Sequence, residues 1–152
     1  SYGRAAWRLL ASSEKVRNAF SQGLTRRIAV RPYRRMNKTR EYRMFFHQRE
    51  LVAMSQYCLE RHFGRLAKRD KEIWRRAQKF AAQIKPFMPR DNVVVDVYYT
   101  SDNQVLIVDL NSWGPPTDPL LLKTWERDWD TEAGVKLIPK PVKMKGEISV
   151  SF

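Results

Sequence analysis

Two short segments late in the chain, Asn92-Val-Val-Val-Asp-Val-Tyr-Tyr-Thr100 and Val105-Leu-Ile-Val-Asp-Leu-Asn111, carry carboxylates where a purely structural hairpin would avoid them. Closing them through a two-residue Asp102-Asn103 loop or through a four-residue loop predicts the same pairing, with Asp96 directly opposite Asp109. Side chains alternate along a strand, so Asn111 falls on the same face as both acids. Opposed like charges cost roughly 0.2 to 1 kcal/mol, and more where water is excluded. Something has to offset that cost. Two carboxylates and an amide oxygen on one face form a hard-oxygen set suited to Mg2+, which prefers one or two carboxylates completed by water and phosphate oxygens. The competing reading is a solvent-facing acidic stripe with Asn111 capping the loop.

The elements that must position these residues carry further motifs. After the second strand, Asn111-Ser-Trp-Gly-Pro-Pro-Thr-Asp-Pro-Leu-Leu-Leu-Lys-Thr-Trp-Glu126 passes through a Gly-Pro-Pro loop. It predicts a helix over 118–129, with Asp118 as N-cap and Pro119 in the first turn. In these segments the chain resembles the D123 family, the cell-division-cycle 123 proteins, whose fold is of the ATP-grasp type. The residues that carry the resemblance are Asp96-Val-Tyr98, Ile107-Val-Asp-Leu-Asn111, Trp113-Gly114, Thr117-Asp118, Leu120-Leu-Leu122 and Trp125-Glu126. Upstream, Glu41-Tyr-Arg-Met-Phe-Phe46 and Glu50-Leu-Val-Ala-Met-Ser-Gln56 look like two further family strands. The likeness runs over about residues 28 to 130.

The resemblance implies metal ligands at Asp96, Asp109 and Asn111, the residues already grouped by strand geometry. It also places Arg43 where an arginine could face a nucleotide phosphate; a strand arginine paired with Glu41 or Glu50 is the alternative. Several departures argue against working nucleotide chemistry. The family's Ser-Gln-Arg-Asp is Ser55-Gln-Tyr-Cys58 here, and its Asn-Pro is Asn111-Ser112. The family's lysine-bearing phosphate-binding subdomain finds no counterpart, because residues before about 28 read as a single basic helix. The six glycines are scattered and form no phosphate-cradling loop. No cofactor is therefore expected, with ATP and Mg2+ entering if the family site is retained.

At 152 residues and 43% hydrophobic content the chain can bury one core. No apolar run approaches the roughly eighteen residues of a membrane span. The single cysteine, Cys58, sits in an apolar segment and reads as a small buried residue. His47 belongs to a turn and His62 lies near a helix start, so neither suggests zinc or a catalytic triad.

The net charge of +13 is distributed unevenly. Residues 1–40 carry +10 and residues 41–90 carry +7, whereas residues 91–152 carry −4. Such asymmetry points to a polyanionic partner, and clustered arginine suits phosphate recognition. The first twenty residues place Trp7, Leu10 and Val16 or Phe20 on one side of a helix ringed by Arg4, Arg8, Lys15 and Arg17. Arg-rich, Ser-containing and acid-poor, this stretch has the composition of a mitochondrial targeting region or of the segment just after its cleavage. An extended connector follows with Arg26, Arg27, Arg31, Tyr33, Arg34 and Arg35, a mixture of guanidinium and ring suited to single-stranded RNA and equally to a tail threaded through an acidic protein assembly.

Between the two hairpins, Leu66, Ile73, Trp74, Ala77, Phe80, Ala81 and Ile84 recur at helical spacing. Lys68, Arg69, Lys71, Arg75, Arg76 and Lys79 fill much of the other side as a basic ridge, and Pro86 and Pro89 end the helix. The fold class expected is α+β: an antiparallel sheet of two hairpins, covered by one long helix over 60–85 and resembling the C-terminal part of an ATP-grasp domain. The expected divisions are a basic helix and arm over 1–40, the D123-like domain over 41–130, and a tail over 131–152 with a terminal strand at 147–152.

The function expected from these features is that of a non-catalytic structural or assembly subunit of a large complex on the matrix side of the mitochondrion, foremost the mitochondrial ribosome. Arg75 and Arg76 would join the arm in contacting rRNA. Two alternatives stand beside it. One, implied by the family, is an ATP- and Mg2+-dependent assembly chaperone for the translation initiation factor eIF2, acting on its gamma subunit. The other is a peripheral subunit of a mitochondrial membrane complex such as ATP synthase, held partly by anionic lipid.

Overall fold

Near-continuous apolar runs at 42–46, 51–54 and 93–97 make strands that can be buried on both faces. In a computed structural model that describes residues 2–24 and 35–141, they lie at the centre of a five-stranded sheet. The strands are β1 (Glu41–His47), β2 (Glu50–Gln56), β3 (Val93–Tyr99), β4 (Val105–Asn111) and β5 (Gly134–Lys136), in the spatial order β4-β3-β1-β2-β5. Neighbours are antiparallel except β5, which runs parallel to β2. The expected α+β class and the two-hairpin sheet are what the molecule has. The strand drawn for 147–152 lies outside the described residues, and β5 was not anticipated.

The chain divides into two units, 1–35 and 36–152. In the first, the single helix expected before residue 28 is two helices, α1 (Tyr2–Ser12) and α2 (Glu14–Ser21). Ser13 breaks them. Its backbone is extended, and its hydroxyl accepts a hydrogen bond from the Val16 N–H, so the serine caps a new helix instead of continuing the old one. Trp7, Leu10, Val16 and Phe20 share an apolar concavity within this unit.

In the second unit, β1 and β2 are joined by Gln48-Arg49, with φ of 49° and 64°. Two consecutive left-handed residues make the tight turn that matches strand twist. The chain then crosses over one face of the sheet through α3 (Gly64–Ala67) and α4 (Asp70–Ile84) before entering β3. The helical stretch is thus shorter than the expected 60–85 and is broken around Lys68 and Arg69. Asp70 and Glu72 suit the positive N-terminal end of α4. Its face of Ile73, Ala77 and Ala81 packs on Tyr42, Met44, Phe46, Met54, Val95, Val97 and Tyr99.

The opposite face of the sheet is covered by irregular chain. The helix expected over 118–129 is one short 3-10 turn, Leu120–Leu122, followed by loop. Leu120 and Lys123 both have positive φ, 53° and 69°, which an α-helix cannot contain. Packing decides this local outcome. Leu122 is buried with Phe45, Val52, Ala53 and Val94, while Trp113, Trp125 and Trp129 close over them. A regular helix would turn some of these rings away.

The hydroxyls of Tyr42 and Tyr99 are buried beside α4, where Tyr99 donates to the Ile73 carbonyl. Burial pushes the Tyr42 phenol from 10.0 up to about 12, against the opposing pull of Arg69, Arg76 and Arg40. Burial also raises Tyr99. An acid with a raised folded-state pKa leaves stability intact below its unfolded value and loses it as pH climbs toward the folded one. We therefore expect stability to fall between pH 10 and about 12, with phenolate absorbance rising together with unfolding. In Tyr42→Phe the slope of stability against pH should be shallower. Phenolate appearing with no loss of structure would contradict the burial.

Candidate functional site

The hairpin that carries Asp96 and Asp109 reaches its register by two irregularities that offset each other. Its loop has three residues, Ser101 to Asn103, rather than the expected two or four: the Thr100 N–H donates to the Gln104 carbonyl at 2.9 Å, and Asn103 has φ 68°. Such a loop pairs Tyr99 with Val105 and Val97 with Ile107. Continued unchanged, that register would set Val108 against Asp96. A bulge at this point absorbs Val108, so that Asp96 pairs with Asp109 and Val94 with Asn111. The three sequence-predicted residues thus share a face of the sheet, the one opposite α4.

Sharing a face does not make them one cluster. Asp96 is buried, and Arg43, its cross-strand neighbour on β1, grips it with a two-pronged hydrogen bond: Nε to Oδ1 at 2.7 Å and Nη2 to Oδ2 at 2.8 Å. Asn111 Nδ2 donates to the same Oδ2 at 3.0 Å. Asp109 stays exposed and accepts a bond from the Leu110 N–H at 2.9 Å. The like-charge repulsion between Asp96 and Asp109 is therefore relieved by a guanidinium. Arg43 pairs with Asp96, not with Glu41 or Glu50 as the alternative had it. Cross-strand register explains the difference: Asp96 lies directly across from Arg43, whereas Glu41 is two residues along the same strand and Glu50 pairs with His47 at the far end of β1.

Arg43 also secures the covering loop. Its Nη1 donates to the Asp118 carbonyl at 2.7 Å, and its guanidinium lies 5.2 Å from the centroid of the Tyr57 ring. Burial works against its charge, but the hydrogen bond and charge of Asp96 outweigh it, and its pKa is raised. Burial and then Asp96 push Glu41 upward as well. Nearby, Ser55 Oγ accepts from the Leu121 N–H at 3.2 Å, and Trp125 Nε1 donates to the Thr117 carbonyl at 2.7 Å. The aromatic cover was not recognised in the sequence as a unit. His47 stacks on Trp113 at 5.5 Å, and Trp113, Trp125 and Trp129 contact one another at 4.6 to 5.4 Å. The signal was the count of tryptophans between 113 and 129, three of the five in the chain.

The donor chemistry that remains open to a cation is that of Asp109 and Asn111, hard oxygens of the type Mg2+ takes, with Asp96 neutralised behind them. Among the described residues, no group of three or more His, Cys, Asp or Glu side chains could hold a metal ion. Of the basic contacts expected, Arg26, Arg27, Arg31, Tyr33 and Arg34 lie outside the described residues. Arg35 and Arg75 are exposed. Arg76 is engaged within the fold, with its guanidinium 4.3 Å from the Tyr99 ring centroid and Nη2 donating to the Gln104 carbonyl at 2.8 Å.

The sequence profile of the D123 family matches residues 8–140. The chain belongs to this family. It is 31% identical over 87 residues to the Xenopus laevis translation initiation factor eIF2 assembly protein, covering 57% of this chain and 25% of that protein. An Aspergillus fumigatus protein of the same name is 34% identical over 101 residues, 65% of this chain and 24% of its relative. The chain thus spans about a quarter of the length of these D123 relatives. In structure it resembles Cdc123 from Schizosaccharomyces pombe, with a TM-score of 0.62 and 24% identity over 71% of this chain and 44% of that one. This likeness speaks to the fold alone.

These relatives correct the functional expectation. They are named for the assembly of eIF2, which overturns the mitochondrial ribosomal subunit, the rRNA and lipid partners, the membrane-complex alternative and the matrix location. The physical reason for the error is that basic composition reports charge and not compartment. Part of the arginine excess is internal to the D123 fold, as Arg43 on Asp96, Arg69 on Glu72 and Arg76 on Tyr99 illustrate. No described helix is long and apolar enough to cross a membrane.

Removing one partner of a buried pair leaves an uncompensated charge, at a cost of about 3 to 5 kcal/mol. Asp96→Ala should lose stability of that order in denaturant unfolding, whereas Asp109→Asn should change it by no more than about 0.5 kcal/mol, as an exposed substitution does. Equal effects of the two substitutions would refute the asymmetry seen in the hydrogen bonding.

Proposed function

We propose that this chain acts in the assembly of the translation initiation factor eIF2, by binding a protein partner rather than by transforming a substrate. The observation that carries this reading is its 31 to 34% identity to proteins named for that assembly. The site is consistent with a binding role. Arg43 and Asp96, the two charged groups at its centre, are committed to each other and to the Asp118 carbonyl, so their work is to hold the sheet and the covering loop in one relationship. The gamma subunit of eIF2 is the partner that the family resemblance implies.

ATP and Mg2+ belong to the same proposal as ligands that support binding. Asp109 and Asn111 are the residues that would hold the metal, and a bound Mg2+ would supply a positive bridge to phosphate oxygens. Arg43 would hold Asp96 in place behind them without touching the nucleotide.

The test is recovery of partners by the protein in its natural full-length form. We expect the eIF2 gamma subunit among the co-purifying proteins, with recovery unchanged by RNase, and Mg-ATP binding in calorimetry that weakens about tenfold or more in Asp109→Asn. Recovery of mitochondrial ribosomal proteins, or of nothing above background, would refute the assembly role. ATP affinity unmoved by Asp109→Asn would remove the metal assignment while leaving partner binding to stand on its own result.

A further inference from the structure

On the side of the sheet that carries α4, away from Asp96 and Asn111, a polar cleft of about 340 Å³ opens between the start of β1, the α3–α4 helices and the β3–β4 loop. Four arginines line it: Arg40, Arg65, Arg69 and Arg76. Glu72 is the one carboxylate among its lining residues. Arg69 takes that carboxylate with both prongs, Nε to Oε2 at 2.8 Å and Nη2 to Oε1 at 2.6 Å. Arg76 is spent on the Tyr99 ring and on Gln104, as described above. The cleft wall therefore carries three more positive charges than negative ones.

Three of these charges converge on one point, and Arg65 joins them in the lining. Arg69, Arg76 and Arg40 each act electrostatically on the Tyr42 hydroxyl, which lies at the cleft. Gathering guanidinium groups in a concavity with one acid among them is unfavourable unless an anion joins them. A guanidinium offers a planar fork that matches phosphate oxygens. A phosphoryl group brings about −1.5 to −2 charges near neutral pH, whereas a carboxylate brings one, so the phosphoryl group compensates the excess more fully.

We propose that this cleft binds a phosphoryl group, with Arg40 and Arg65 as the contacting guanidiniums and Arg69 and Arg76 as held background charge. The group can be presented on a phosphorylated side chain of a partner or as a free phosphate compound. Neither source uses the sheet face that carries Asp109 and Asn111, so this assignment is independent of the nucleotide proposal. Arg40 is half-buried and Arg65 exposed, and neither is tied to the Glu72 carboxylate, which leaves both forks open to a ligand.

The test measures binding to the full-length protein without Mg2+, using inorganic pyrophosphate, a phosphoserine peptide and its unphosphorylated counterpart as probes. We expect saturable binding of pyrophosphate, of the phosphopeptide, or of both, which identifies the source, and none for the unphosphorylated peptide. Arg40→Gln combined with Arg65→Gln should weaken binding about tenfold or more. Arg75→Gln with Lys79→Gln removes the same charge from α4 outside the cleft and should leave binding within about twofold. Unchanged thermal unfolding of each variant separates loss of ligand from loss of fold. The proposal is overturned if neither phosphorylated probe binds, if the Arg75/Lys79 variant loses as much as the Arg40/Arg65 variant, or if binding disappears in Asp109→Asn and survives in Arg40→Gln/Arg65→Gln.

Discussion

The buried ion pair between Arg43 and Asp96 is the contact on which the architecture of the second unit turns. Two charges removed from water recover their desolvation cost only when geometry is good and the remaining donors and acceptors are satisfied. Both conditions hold. Two prongs of the guanidinium take the two oxygens of Asp96, its third nitrogen reaches the Asp118 carbonyl, and Asn111 adds a bond to the carboxylate. One side chain thus links β1 to β3 and the sheet to the loop that covers it. The pair specifies an arrangement more than it adds net stability, since an apolar pair of similar volume could stabilise as well.

That constraint explains the irregular features around it. The three-residue loop and the Val108 bulge are each departures from a regular hairpin, and together they bring Asn111 to the oxygen of Asp96 that it contacts. The Leu120–Leu122 turn and its two positive φ values let Leu122 drop onto Phe45 and Val94 while the Asp118 carbonyl faces Arg43. Residues with strained backbone persist where the surroundings over-determine them, and here the tryptophan cover and the ion pair both do so.

The two faces of the sheet divide the chemistry. The face under α4 is an apolar core with an arginine-rich rim, while the opposite face combines an aromatic cover with the Arg43–Asp96–Asn111 network. This separation has a consequence: two chemically distinct surfaces on one sheet can be engaged by different ligands. Communication between them would run through β1 and β3, whose side chains alternate between the two faces and which carry both Arg43 and Tyr42, Asp96 and Val97.

Much of this was legible in the residues themselves. Turn residues between apolar segments placed the 92–111 hairpin, family likeness placed the 41–56 hairpin, and spacing at three and four residues placed the apolar face of α4, because periodicity in a helix must match the surface it buries. Asp96, Asp109 and Asn111 could be assigned to one face from alternation and an assumed two- or four-residue loop, an assignment that holds because the Val108 bulge offsets the three-residue loop the hairpin has. The motifs around them identified the family. What depended on the tertiary structure was the partner of each charge. Arg43 lies fifty-three residues from Asp96, and nothing in local sequence distinguishes that acid from Glu41 or Glu50. The fate of 118–129 was likewise undetermined, since Asp118, Pro119 and the leucines satisfy helix rules, and only the need to seat Leu122 and three tryptophans on a sheet face unwound it. The charge balance told least about compartment. Electrostatic excess is a sum over the chain, and it does not say which arginines the fold has already paired.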